Sequence, residues 1–166
     1  MSARLWYPQF DVYDTARRIG VLLRSFEAPP GLERLYIADF YLANPPLLHR
    51  TSMSMGTRQR FREIGIPSPG KTFVSYPAAP LLFHKMEPVQ REAVSALQGR
   101  GLVASELLCV GKVALTSLGV QTFESQGQLC SSAESVLCEF LAKHFAATEE
   151  IGNRDLRNRT GLHRPL

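Results

Sequence analysis

The sequence predicts a mostly α-helical protein with one small β-hairpin, an α+β fold built on 166 residues. Three observations carry this expectation. Apolar residues recur at three- and four-residue spacing in several stretches, the period of an amphipathic helix. Clusters such as Pro29-Pro30-Gly31 and Asn44-Pro45-Pro46 cut those stretches to helix length. Leu102 to Leu115 is rich in β-formers and turns at Gly111. Residues 1–150 are expected to form one domain with an N-terminal aromatic arm, and residues 151–166 a basic, flexible tail.

The arm holds Trp6, Tyr7, Phe10 and Tyr13. So many rings are costly to leave in water, so it is expected to dock on the body or on a partner. Asp14 can cap a helix from Thr15 to about Phe26, with Ala16, Ile19, Leu23 and Phe26 inward and Arg17, Arg18 and Arg24 elsewhere. A second helix starts near Leu32 and breaks at Asn44-Pro45-Pro46. Asp39 shares a face there with Tyr36 and Phe40. A buried carboxylate needs a partner; Asp39 is either paired within the fold, with an arginine or a helix N-terminus, or serves as an inter-subunit or catalytic acid. Thr57 to Ile64 is expected to be a short helix and Thr72 to Tyr76 a short strand. Five prolines from Pro67 to Pro88 keep the chain between them extended or turned.

Pro88 suits the first turn of a helix carrying Val89, Ala93 and Leu97, which Gly99 and Gly101 end. Leu102 to Val110 and Lys112 to Leu115 are the two hairpin strands, and Thr116 or Ser117 caps a helix packing Leu118 and Phe123. The order Leu97, Gly101, Leu102, Val103, Leu115, Thr116, Gly119 resembles the second half of a winged-helix domain. Ser131-x-x-Glu134 is a capping-box pattern, and it opens a helix from about Ala133 to Ala147 with Cys138 buried.

Charge is uneven. The chain carries +4 overall. Residues 50–71 set Arg50, Arg58, Arg60, Arg62 and Lys71 against Glu63, a balance of +4. Residues 152–166 set four arginines against Asp155, a balance of +3. Two basic patches on a mildly acidic body favour an acidic partner such as nucleic acid. Arg58, Arg60 and Arg62 are the candidate phosphate contacts, because the helix from Pro88 offers only Arg91, cancelled by Glu92.

No apolar run spans a bilayer, and the N-terminus lacks a signal-peptide core. The odd cysteine count points to a reducing cytoplasm. No cofactor, metal or catalytic constellation is expected. Gly65 to Thr72 does satisfy the phosphate-loop pattern G-x-x-x-x-G-K-T. A phosphate cradle needs consecutive backbone N–H groups, and Pro67 and Pro69 delete two of them. The flanking sequence also offers neither the strand before nor the helix after.

LYIADFYLANPPLLH, with LQGRGLV and VALT downstream, resembles the middle component of bacterial ABC-three-component systems, of which Lamassu-type plasmid and phage defence is the best-known group. Asp39-Phe40-Tyr41 and Pro45-Pro46 carry most of the likeness. The resemblance implies a non-catalytic accessory subunit. It would sit between an SMC- or Rad50-like ATPase and a nuclease-type effector, and would meet double-stranded DNA through the complex. Trp6, Tyr7, Phe10, Asp39 and Tyr41 are then the expected partner contacts. The competing expectation is a stand-alone winged-helix DNA-binding regulator.

Overall fold

In the computed structural model, which describes residues 7–73, 75–125, 129–145 and 152–163, the first helix starts at Asp11 rather than Asp14. The Asp11 carboxylate accepts from the Asp14 N–H at 2.9 Å, and helix α1 runs Val12–Ser25. Asp14 is released to meet Arg17 and Arg18. Arg18, read as facing away, is 2% exposed. Helix α2, Leu32–Ala43, is buried from Leu35 to Leu42, and Asn44 ends it by donating to the Phe40 carbonyl. A 3-10 turn, Pro45–Arg50, follows. Helix α3, Met55–Ile64, is capped by Ser54 and closed by Gly65, whose φ of 75° a side chain would strain.

Helix α4, Ala79–Gly99, begins nine residues before the expected start. Pro80 occupies the first turn, and Pro88 lies in the helix interior. Burial of Leu82 and Met86 against the core outweighs the hydrogen bond that Pro88 removes. The segment from Thr72 to Tyr76, expected as a strand, has none among its described residues.

The expected β-hairpin is absent. Among the described residues there is no strand, only isolated antiparallel bridges at Val103–Leu115 and Gly31–Lys112. The protein is therefore all-α rather than a winged-helix-like α+β fold, and the wing that a winged-helix regulator would use is missing. The cause is local. Residues Ser105–Leu108 coil into a single turn, α5, and the next N–H groups fold back on it: Gly111 donates to Leu108 at 3.0 Å and Lys112 to Leu107 at 2.9 Å. Groups satisfied within a turn cannot build a ladder. Pairing survives for one bridge, flanked by Ala104 N–H to Ala114 and Thr116 N–H to Leu102, both 3.0 Å.

Helix α6, Ser117–Ser125, starts where expected, but only Phe123 points inward; Leu118 is exposed. Thr116 caps it, donating to the Gly101 carbonyl at 2.6 Å and accepting from Gly119 N–H at 3.0 Å. The Leu97, Thr116 and Gly119 spacing thus marks a helix–turn–helix junction without strands. Leu97 is buried there and Leu102 only half-buried. Helix α7, Ser132–Phe140, is capped by Ser131 as the pattern predicts and continues as a π turn, Leu141–Phe145. Its expected end near Ala147 lies outside the described residues. The segment read as a basic tail contains helix α8, Asn153–Thr160, with Leu156 and Leu162 buried. One hydrophobic cluster runs from Ile19 through α2, α4 and α7 to Leu162. Among the described residues no helix is long and apolar enough to cross a membrane.

Candidate interaction surfaces

Asp39, expected at a partner contact, is fully buried. Helix α1 delivers Arg18 to it: Nε donates to Oδ1 at 2.7 Å and Nη2 to Oδ2 at 3.3 Å. The remaining Arg18 donors reach Asp14 at 2.6 Å, the Pro8 carbonyl at 3.1 Å and Thr15 Oγ1 at 3.0 Å. A guanidinium has five N–H groups, and here each has an acceptor. Burial works to lower the Arg18 pKa, but Asp39 and Asp14 prevail and it is raised. Gln90 of α4 completes the group, donating to Asp39 Oδ2 at 2.9 Å and to the Tyr36 carbonyl at 3.0 Å. Tyr41 is also interior, edge-on to Phe40 and Phe145, and burial raises its pKa. Asp39 and Tyr41 therefore act within the fold, holding α1, α2 and α4 together, rather than on its surface.

The aromatic arm does reach the surface. Trp6 lies outside the described residues. Tyr7 and Phe10 flank a 3-10 turn, Pro8–Phe10, with their rings edge to face at 6.4 Å. Both are exposed, and Tyr13 on the first turn of α1 is 80% exposed. The backbone of this arm is anchored through Pro8 to Arg18. One turn along, Arg17 reaches across to α7, making two 2.9 Å bonds to Glu134 and one of 2.6 Å to the Leu129 carbonyl.

Helix α3 separates the three candidate phosphate contacts. Phe61 faces inward, 4.9 Å from the His49 ring and 5.8 Å from Phe140. Arg58 and Arg62 share one side, four residues apart. Arg58 donates to the Thr51 carbonyl at 3.3 Å, and Arg62 is exposed. Arg60 turns to α7 and the π turn, 3.5 Å from His144 Nε2. Burial first, then the Arg60 charge, lowers the His144 pKa below its ordinary value, which favours the neutral imidazole; in the tautomer with the proton on Nδ1, its Nε2 accepts from Arg60. Arg58 and Arg62 can thus meet one ligand, and Arg60 belongs to a different side.

Nothing in the sequence joins the two basic stretches, yet in the fold they meet. Ser52 N–H donates to the Arg159 carbonyl at 2.8 Å, setting the end of α8 against the chain entering α3. An apolar groove of about 900 Å³ opens between α3 and α7, walled by Pro46, Ile64, Ile66, Val136 and Leu137.

The phosphate-loop lookalike has another use. Gly65 is the stop of α3, and Pro69–Lys71 is a 3-10 turn. The N–H groups of Lys71 and Thr72 bond Ser68 and Pro69 within it. Among the described residues no three His, Cys, Asp or Glu side chains cluster as metal ligands would. Cys138 is buried, which raises its thiol pKa, and Cys109 is exposed.

A family model described as ABC-three component (ABC-3C) system Middle Component 5 matches residues 4–164, nearly the whole chain. No curated protein and no solved structure matches it.

Proposed function

The chain belongs to the Middle Component 5 family of ABC-three-component systems and so is an accessory component of a multi-component system; from that premise we propose that it bridges an SMC- or Rad50-like ATPase and a nuclease-type effector in a defence complex acting on plasmid or phage DNA. The observation that supports a bridge is the pair of unlike exposed surfaces. Tyr7, Phe10 and Tyr13 present rings to solvent on one, and Arg58 and Arg62 present charge on the other. Exposed aromatic rings are characteristic of protein interfaces, where they supply large contact area at small entropic cost. Arg18 holds the backbone of the arm, so those rings are offered in a set position. In this reading Trp6, Tyr7 and Phe10 contact the protein partners, while Asp39 and Tyr41 keep the helices beneath them in place. The chain contributes no catalysis of its own.

Co-expression with a candidate SMC- or Rad50-like ATPase and a candidate nuclease-type effector tests this. Affinity purification of the chain should recover both. Phe10→Asp/Tyr13→Asp, which alters two exposed positions, should retain the fold by circular dichroism and lose at least one partner about tenfold or more. Full recovery of both partners by that variant would move the contact elsewhere, and recovery of neither by the unaltered chain would end the bridging reading.

A further inference from the structure

Five arginines of the body are spent on carboxylates. Arg17 meets Asp14 and Glu134, Arg18 meets Asp14 and Asp39, Arg24 meets Glu124, Arg91 meets Glu87 and Arg157 meets Glu33. Arg50, Arg58, Arg62 and Arg159 differ, as do Arg60, Arg100 and Arg154. Among the described residues none of them has a carboxylate within 4.0 Å. Arg50, Arg62 and Arg159 are exposed and Arg58 half-exposed. They come from the two basic stretches that lie about a hundred residues apart in sequence, and the Ser52–Arg159 backbone bond brings those stretches together. Arg58 reaches the Thr51 carbonyl, the residue before that bond.

We propose that Arg50, Arg58, Arg62 and Arg159 form one surface that binds the phosphate backbone of double-stranded DNA without reading its sequence. The proposal rests on the bridging function, in which the complex works on DNA, and adds that this chain touches the duplex itself. The spacing suits a phosphate row. Residues four apart on a helix rise about 6 Å, and alternate phosphates of one strand rise about 7 Å along the duplex. Guanidinium forks match phosphate oxygens two at a time. The exposed side chains between them, Ser52, Ser54 and Gln59, are polar; Met55 is the apolar exception. A protein interface would need an apolar centre, which this surface lacks. The nearby acids do not neutralise it: Asp155 lies one turn before Arg159 without pairing to it, and Glu63 borders the apolar groove instead. Arg60 is excluded by its direction toward His144.

Binding of the full chain to a labelled random-sequence duplex, followed by anisotropy at several salt concentrations, decides the matter. The unaltered chain should bind with affinity that falls steeply with salt. Arg50→Glu/Arg159→Glu should weaken binding tenfold or more and flatten the slope by about 0.9 for each phosphate no longer neutralised. Arg62→Ala, which removes no internal hydrogen bond, should lower the slope by one such step, so the result does not depend on the double variant folding. Arg91→Glu should leave the slope unchanged. An unchanged slope in Arg62→Ala and the double variant overturns the proposal. So does polyglutamate that displaces the chain as well as unlabelled duplex, since that assigns the surface to an acidic protein. Intact co-purification with the ATPase and effector alongside abolished DNA binding, or the reverse, separates failure of this inference from failure of the bridging reading.

Discussion

Arg18 and Asp39 show how a single charged pair can hold three helices. Both are buried, at 2% and 0% exposure, and Gln90 adds a third element. Removing one partner of such a pair leaves the other charge in the interior, which costs about 3–5 kcal/mol. Asp39→Ala should therefore lower stability by that order in urea unfolding. Arg18→Met/Asp39→Leu should be less damaging than Asp39→Ala alone, because no unpaired charge remains. Equal loss in the single and double variants would mean that volume rather than charge sets the effect. The sequence showed that Asp39 needed a partner but not which one. Arg18 looked outward because its face was judged from the apolar residues alone. Its position four residues after Asp14 was the available clue, since an arginine held by an acid of its own helix can be carried inward.

At the scale of elements, close approach decides what residue can stand at a junction. A Cβ at Gly119 would lie 2.2 Å from the Leu102 carbonyl oxygen, a backbone atom that cannot step aside. Gly119→Ala should thus separate α6 from the α4–α5 junction and cost about 1–3 kcal/mol; a thermal midpoint equal to that of the unaltered chain would show that the approach is looser. Local signals predicted well at two helix ends that the chain caps for itself. The stop of α2 at Asn44 and the Ser131 cap of α7 were legible, because the determining bonds span three or four residues. The start of α4 was not. Pro88 is a credible first residue, and only packing of Leu82 and Met86 against distant helices carries the helix through it. The hairpin failed for the complementary reason. β-forming residues need a ladder partner, and Leu107 and Leu108 took the available N–H groups first.

For the whole molecule, α8 belongs to the body. Its composition is highly polar, which is why the sequence read as a tail, yet Leu156, Thr160 and Leu162 are buried and the helix packs on α2. Leu156→Ala should cost about 2–5 kcal/mol, as for a core leucine elsewhere. Loss confined to a local opening of the last residues, seen by hydrogen exchange with an unchanged global midpoint, would mean that α8 is only loosely attached. The candidate surface was half legible for the same reason. Arg58 and Arg62 declare themselves by their spacing, whereas Arg159 joins them only through a tertiary backbone bond.

The hydrogen bond from Arg18 to Pro8 makes the aromatic arm a latch on the interior. Lifting residues 8–10 away would strip one acceptor from a guanidinium whose every other donor is already engaged and cannot be reassigned. A buried N–H left in that state costs about 1–3 kcal/mol. A partner that grips Tyr7 and Phe10 where they stand meets no such penalty; one that peels the arm off must overcome it and loosens the hold on Asp39 as it does so. The force borne at the surface is thus transmitted, through one atom of backbone, to the joint between α1 and α2.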